Sequence, residues 1–344
     1  VLQIILFDQW GIPFWVSVLI TVTLIWLYTF RGGIKTVVWT DTLQTFFMLL
    51  AVLVSIVLVS KELNITGVGD LMVKVSEQPY SKIFNWDWKS GTNFFKQFFS
   101  GMFIVIVMTG LDQDMMQKNL TCRNLKDAQK NMFWFTNILV LVNLIFLALG
   151  VLLYMYAETN QIAIPERTDD LYPLLATSHF STFAGIVFVL GITAAAYSSA
   201  DSTLTALTTS FCYDFLQIDK NPDKEKALTT RKAVHLGFTL LMFFVILLFR
   251  WINDQSVINA VFLIAGYTYG PLLGLYSFGL FTRYKVKDPW VPYLAVIAPL
   301  ISFFISSQSE KWFWGYKFGF ELLILNGLLM FIGLWLVRLR STDR

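Results

Sequence analysis

Residues 181–213 read STFAGIVFVLGITAAAYSSADSTLTALTTSFCY. The half before Ala194 is predominantly apolar and uncharged, while the half after it is rich in serines and threonines with Asp201 in its midst. Crossing about 30 Å of hydrocarbon takes about 20 mostly apolar residues. At about 1.5 Å per residue, this run would extend to about 50 Å, so it tilts or overhangs one face. An ionisable side chain in such a helix costs several kcal/mol and marks a functional site. The stretch therefore reads as a membrane helix whose second half carries oxygen ligands.

Eight further apolar segments surround it, at roughly 11–30, 36–60, 96–117, 131–157, 232–251, 256–282, 288–307 and 317–338. The composition agrees: 56% of the 344 residues are hydrophobic, 17% aromatic and only 14% charged, where soluble domains carry about a quarter charged. The chain is expected to be an all-α, multi-pass membrane protein with about nine spans. Of its 26 basic residues, 17 fall at alternate ends and loops, from Arg31 and Lys35 through Lys118 and Arg231 to Arg338, Arg340 and Arg344. That bias places those ends in the cytoplasm. The net charge of +3 follows the membrane and points to no nucleic-acid partner. Cys122 and Cys212 fall near segment ends on one side and imply no disulfide framework. The stretch 61–95, with Trp86 and Trp88, reads as an outer amphipathic segment at the interface. The sequence opens inside a membrane segment with neither an initiator Met nor a leader, as a fragment would.

The ionisable residues expected inside the membrane are Asp41, Asp112, Asp114 and Asp201. Asp41 lies six residues, about 9 Å, beyond Lys35 and shares a helix face with Gln44 and Thr45. It is either a carboxylate snorkelling to water or a ligand. Ala195, Ser198, Ser199, Ser202 and Thr209 fall on one face at 100° per residue, with Asp201 turned toward it. Close helix packing accounts for the serines as well as ligation does, but not for the aspartate. No Lys or Arg lies within 36–60 or 181–213. Asp41 and Asp201 are thus expected to lack a basic partner and to be protonated or bound to a cation. Hydroxyl and carboxylate ligands suit a hard cation. His179 and His235, near helix ends, read as interfacial residues.

Two other features carry alternatives. In 259–280, NAVFLIAGYTYGPLLGLYSFGL, Gly266, Gly270 and Gly274 recur every four residues around Pro271. They form either a small-residue packing ridge or a broken helix lining a cavity, which would offer Tyr267, Thr268 and Tyr269 to a solute. Asp112 and Asp114 precede Lys118 by one to two turns, as a gate salt bridge or a solvated helix end would.

YTFRGGIKTVVWTDTLQT (28–45), DQDMMQKNLTCRNLKDAQ (112–129), DDLYPLLA (169–176), ITAAAYSSADSTLTALTTSFCYDF (192–215) and AGYTYGPLLGLYSFGLFTR (265–283) occur in this order. Together they resemble the sodium/solute symporter family of sodium/proline, sodium/sialic acid and sodium/glucose cotransporters. The resemblance implies the LeuT-type fold of two inverted five-helix repeats with midplane sites. Residues 1–344 would form one transporter domain holding the fourth to twelfth core helices, with the first three outside this sequence.

By similarity, the Ala-x-x-Ser-Ser pattern places a main sodium site on the Ala195 carbonyl and the Ser198 and Ser199 hydroxyls. The family's Thr-Asp-x-Leu-Gln motif falls on Asp41, which with Ser198, Asp201 and Ser202 would form a second sodium or proton site. Family members with such a site carry a hydroxyl where this chain has Asp201. The solute contacts implied are Tyr267, Thr268, Asp112 and Gln113. Sodium/sugar members carry a Tyr-Trp pair where this chain has Met108 and Thr109, which argues against a glucose-type pocket.

The implied activity is import of a small organic solute (sugar, sialic acid, amino acid or carboxylate) coupled to Na+ by alternating access. The implied setting is a lipid-embedded bacterial inner membrane. The alternatives are proton coupling in the same fold, a transporter-like sensor and an ion channel. An enzyme is not expected, since no nucleophile, base and cofactor motif converge.

Overall fold

The computed structural model describes residues 3, 7, 10–29, 34–220, 223–252 and 257–339, with backbone alone at 34–40, 252 and 257–260. In chain order the helices are α1 (Phe14–Thr29), α2 (Ile34–Glu62), α3 (Gly67–Ser76), α4 (Phe94–Gly110), α5 (Gln113–Leu120), α6 (Leu125–Thr159), α7 (Leu171–Ser178), α8 (Thr182–Ser210), α9 (Lys224–Ile252), α10 (Val257–Phe281), α11 (Val291–Trp312) and α12 (Leu322–Leu336). Each of the nine expected apolar segments is helical. Among the described residues six helices are long and apolar enough to cross a membrane. The α4–α5 pair, bent by 56°, makes a seventh, and α1 and α12 are shorter apolar helices. Arg31, Arg340 and Arg344 of the cytoplasmic set lie outside the described residues.

Helix starts follow local chemistry. Asn93 accepts from the N–H groups of Phe95 and Lys96 to open α4, and Asn124 from Asp127 N to open α6. The Ser181 hydroxyl accepts from Ala184 N at α8. Each cap satisfies a donor that the first turn leaves without an intrahelical partner.

Two compact units make up the chain. The first comprises Val1–Ser81 with Met116–Asp254. Its apolar core joins Val52 and Val59 of α2 to Leu149, Leu152 and Ala157 of α6 and Leu175 of α7. On its other side α2 packs closely on α8: a Cβ at Gly191 would lie 2.9 Å from the Ala51 Cβ and 3.0 Å from the Phe47 carbonyl oxygen. Only glycine permits that approach, and it holds the first half of α8 against the middle of α2.

The second unit comprises Lys82–Met115 with Gln255–Arg344. The broken-helix reading of 256–282 does not hold, because α10 runs unbroken through Pro271. The glycines form a packing ridge instead. A Cβ at Gly274 would lie 2.5 Å from the Gly327 carbonyl oxygen, and one at Gly270 would collide with the Asn326 side chain. Pro271 has no N–H to give the Tyr267 carbonyl four residues back. Asn326 of α12 supplies the missing donor, its Nδ2 lying 2.8 Å from that oxygen and 3.1 Å from the Gly266 carbonyl. The chain breaks at Leu111 and Asp112 instead, between α4 and α5.

Candidate cation site

The site lies in the first unit, where α1, α2 and α5 meet the hydroxyl-rich half of α8. Asp201 is 0% exposed. The Tyr28 hydroxyl donates to its Oδ2 at 2.6 Å and also lies 3.4 Å from the Tyr197 carbonyl oxygen. The two tyrosine rings stack at 6.3 Å, which fixes that hydroxyl in place. Among the described residues, Oδ1 of Asp201 has no hydrogen-bond partner, and neither does the buried Ser202 hydroxyl beside it. Unmatched buried polar atoms are destabilising, by roughly 1–3 kcal/mol each and more when charged. Two such oxygens on adjacent residues form an incomplete ligand set for a proton or a hard cation.

One turn back along α8, the Ser198 hydroxyl donates to Oδ1 of Asp41 at 2.5 Å. Oδ2 of the same carboxylate sits 2.9 Å from the Lys118 ammonium. The expectation that Asp41 lacks a basic partner is therefore overturned. Neither α2 nor α8 carries a lysine or arginine along its apolar run, but α5 brings one in laterally, after the chain turns at Leu111 and Asp112. Judging a residue's depth along one helix says nothing about its neighbours across the bundle. For Asp201 the partner present is a phenol.

The remaining sequence-derived residues spread over both units. Ala195 is half-buried and lines a largely apolar cavity of about 400 Å³ with Val18 and Ile25 of α1, Ile192 and Ala200 of α8 and Met242 of α9. The Ser199 side chain is exposed, and its backbone carbonyl accepts from Thr203 Oγ1 at 2.8 Å. In the second unit, Oδ1 of Asp112 accepts from the N–H groups of Asp114 and Met115 at 2.9 and 3.2 Å. It thus caps α5, and Gln113 is the exposed first residue of that helix. The Tyr267 ring lies 6.0 Å from that of Phe303. Thr268 is exposed and turns its hydroxyl back to the Ile264 carbonyl at 3.0 Å.

Sequence reasoning missed Tyr28, Lys118 and His235. His235 is buried, and its ring nitrogens each lie 3.0 Å from a hydroxyl, Thr29 of α1 and Thr208 of α8. A polar residue on each of three helices meets there, spaced 206 and 27 residues apart in the chain. The only sequence signal was hydroxyls placed near the ends of apolar runs.

Comparison with known proteins agrees with this architecture. The model of the sodium:solute symporter family matches residues 4–287. A sodium/sialic acid symporter of Aliivibrio fischeri is 25% identical over 75% of this chain and 52% of its own length. Sodium-coupled monocarboxylate transporter 2 of Bos taurus is 27% identical over 87% and 48%, and the human sodium/iodide cotransporter 24% over 79% and 43%. The chain thus spans about half the length of these curated relatives. A solved structure of a Na+-coupled sialic acid symporter, in a substrate-bound outward-open state, superposes with a TM-score of 0.76 at 18% identity. It covers 97% of this chain and 68% of that one, which gives the LeuT-type fold. With helices, order and most of its length in agreement, the chain belongs to the sodium:solute symporter family.

Proposed function

We propose that this chain is the ion-coupling part of a secondary symporter that imports a small organic solute by alternating access, driven by sodium. The observation that carries the reading is the contact of Asp41 with Ser198, one turn along α8 from Asp201 Oδ1 and Ser202 Oγ, two buried oxygens with no partner among the described residues. Ala195, Ser198 and Ser199 form the main sodium site, and Asp41, Asp201 and Ser202 the second cation site. Sodium is here a transported substrate. Bound at α8, it neutralises the carboxylates and completes the oxygen sets, and so favours the state that binds solute; linkage then makes solute tighten sodium in return.

Relatives named for sialic acid and monocarboxylates support a carboxylate-bearing solute over a neutral sugar. Tyr267, Thr268, Asp112 and Gln113 are the proposed solute contacts. In this reading residues 1–344 belong to one transporter domain, held in the lipid of a bacterial inner membrane. The family is one of transporters and is not an enzyme class.

The buried Tyr28–Asp201 hydrogen bond also favours a second reading, in which a proton replaces the second sodium. Uptake of labelled sialic acid, monocarboxylates, amino acids and sugars into vesicles holding the full-length protein separates the two. An inward sodium gradient should drive uptake of one of these classes. Uptake indifferent to sodium but driven by a pH gradient would overturn sodium coupling.

A further inference from the structure

We infer that the Lys118 ammonium is a tethered competitor for the second cation: it occupies the place on Asp41 that a sodium ion must take, so sodium binds there only as Lys118 leaves. The inference rests on the proposed role of Asp41, Ser198, Asp201 and Ser202 as a cation site.

Three observations carry it. First, the oxygens are already apportioned. Oδ1 of Asp41 is held by Ser198 at 2.5 Å and Oδ2 by Lys118 at 2.9 Å, so the carboxylate has a full cationic partner before any ion arrives. Second, one turn along α8 from Ser198, Asp201 Oδ1 and Ser202 Oγ are buried with no hydrogen-bond partner among the described residues, and these are the oxygens that an ion linking α8 to α2 would draw on beside the Asp41 carboxylate. A sodium ion and an ammonium at contact distance on one carboxylate repel, and the low dielectric of the bundle screens that repulsion little. Third, Lys118 is able to leave. Its side chain is 26% exposed and that of Asp41 19%, and lysine's stem is flexible enough to carry the charge out to water.

Lys118 sits near the end of α5, at the cytoplasmic face by the distribution of basic residues. An ion that displaces it would break the link from α5 to α2, and an ion leaving to the cytoplasm would let that link re-form. Lys118 would then act in the return step of the cycle, filling the anionic site once sodium has gone. This separates the two cation sites in kind. The main site draws on the Ala195 carbonyl and on the Ser198 and exposed Ser199 hydroxyls.

The test uses the full-length protein in detergent and in vesicles. The protein's thermal midpoint is titrated with NaCl against choline chloride, and sodium activation of uptake is measured in parallel. Lys118→Gln should lower the sodium concentration for half-effect by tenfold or more, the change that about 1.4 kcal/mol makes. Lys118→Arg, which keeps a cation on Asp41, should stay within about twofold of wild type, roughly 0.4 kcal/mol. Should Lys118→Gln fail to fold, the wild-type protein still decides. Modification of Lys118 by a small amine-reactive reagent, read by peptide mass spectrometry, should rise in NaCl relative to choline chloride. An unchanged half-effect in Lys118→Gln, or Lys118 labelling that sodium leaves level or lowers, would overturn the inference. If sodium neither stabilises wild type nor drives its uptake, the sodium reading itself fails. If sodium does both and Lys118 is indifferent, only the competitor role fails.

Discussion

The Tyr28 hydroxyl sits 2.6 Å from Oδ2 of Asp201, while Oδ1 of the same carboxylate has no partner among the described residues. One phenol holds half of a carboxylate that has no exposure to solvent. Buried carboxylate oxygens are as a rule matched, so the oxygen left over is what makes Asp201 the residue to test as a cation or proton ligand.

Asp201→Asn should therefore remove a cation's influence while keeping the fold. The amide still accepts from Tyr28 and has its own donor to offer Ser202. Sodium activation of uptake should become less steep, or the pH dependence of uptake should flatten if the second ion is a proton. Unchanged steepness, affinity and pH response would sink the second site. Tyr28→Phe should act differently, lowering stability by about 1–3 kcal/mol because a buried acceptor loses its only donor. Thermal unfolding in detergent without sodium would show it.

Ser199→Ala separates ligation from packing. The side chain is exposed, so its loss should change stability by less than about 0.5 kcal/mol. As a sodium ligand it should nevertheless raise the sodium concentration for half-maximal uptake by roughly tenfold or more, the effect of about 1.4 kcal/mol in a binding constant. Ser198→Ala should lower both stability and sodium affinity, because the same hydroxyl also holds Asp41 at 2.5 Å. If Ser199→Ala transports with wild-type sodium dependence, the main site is misplaced.

These residues show how far the sequence reaches. Apolar runs located the helical segments, because a bilayer fixes helix length for each helix separately, although among the described residues only six helices, or seven with the bent α4–α5 pair, are long and apolar enough to cross it. The face of α8 was legible for the same reason, since 100° per residue is local. Lys118 and Tyr28 were not, because their meeting with Asp41 and Asp201 depends on lateral packing between segments 77 and 173 residues apart. Pro271 misled in the other direction. It carries a helix-breaking signal, and only the position of Asn326 in a distant helix shows that the break is repaired.

Gly191→Ala tests what brings Ser198 to Asp41. A methyl there would meet Ala51 Cβ at 2.9 Å and the Phe47 carbonyl oxygen at 3.0 Å, one a side chain with no freedom and the other backbone. Overpacking of this kind costs about 1–3 kcal/mol, and the relief available is separation of α8 from α2. The variant should lose thermal stability and also weaken sodium activation, although it lies one turn from Ala195 and two from Ser198. A stability loss with unchanged sodium dependence would mean that the α2–α8 spacing does not set the site.

Asp70, outside the spans, gives a pH prediction. The Thr66 backbone N–H donates to its Oδ2 at 2.8 Å, and Lys74 lies 3.4 Å away, so its carboxyl is held below the ordinary range, the backbone hydrogen bond contributing most. A depressed acid pKa stabilises the fold above the unfolded value of about 3.9, and that contribution fades as pH falls through the folded value. Exchange protection at the start of α3 should exceed that of Asp70→Asn at neutral pH, with the difference closing below about pH 4. A difference constant down to pH 3 would contradict the assignment.

The Pro271–Asn326 relationship permits a double-mutant cycle. Asn326→Leu removes the donor to the Tyr267 carbonyl, which Pro271 cannot serve, so a backbone acceptor is left bare inside the membrane. The expected loss is about 1–3 kcal/mol. Pro271→Ala alone should change little, because it returns the intrahelical N–H to a carbonyl that already has a donor. Combined with Asn326→Leu, however, that N–H becomes the repair, and the double variant should recover much of the lost stability. The coupling should be of the order of 1 kcal/mol and favourable. Purely additive losses would show that Asn326 serves α10 only by filling the space above Gly270.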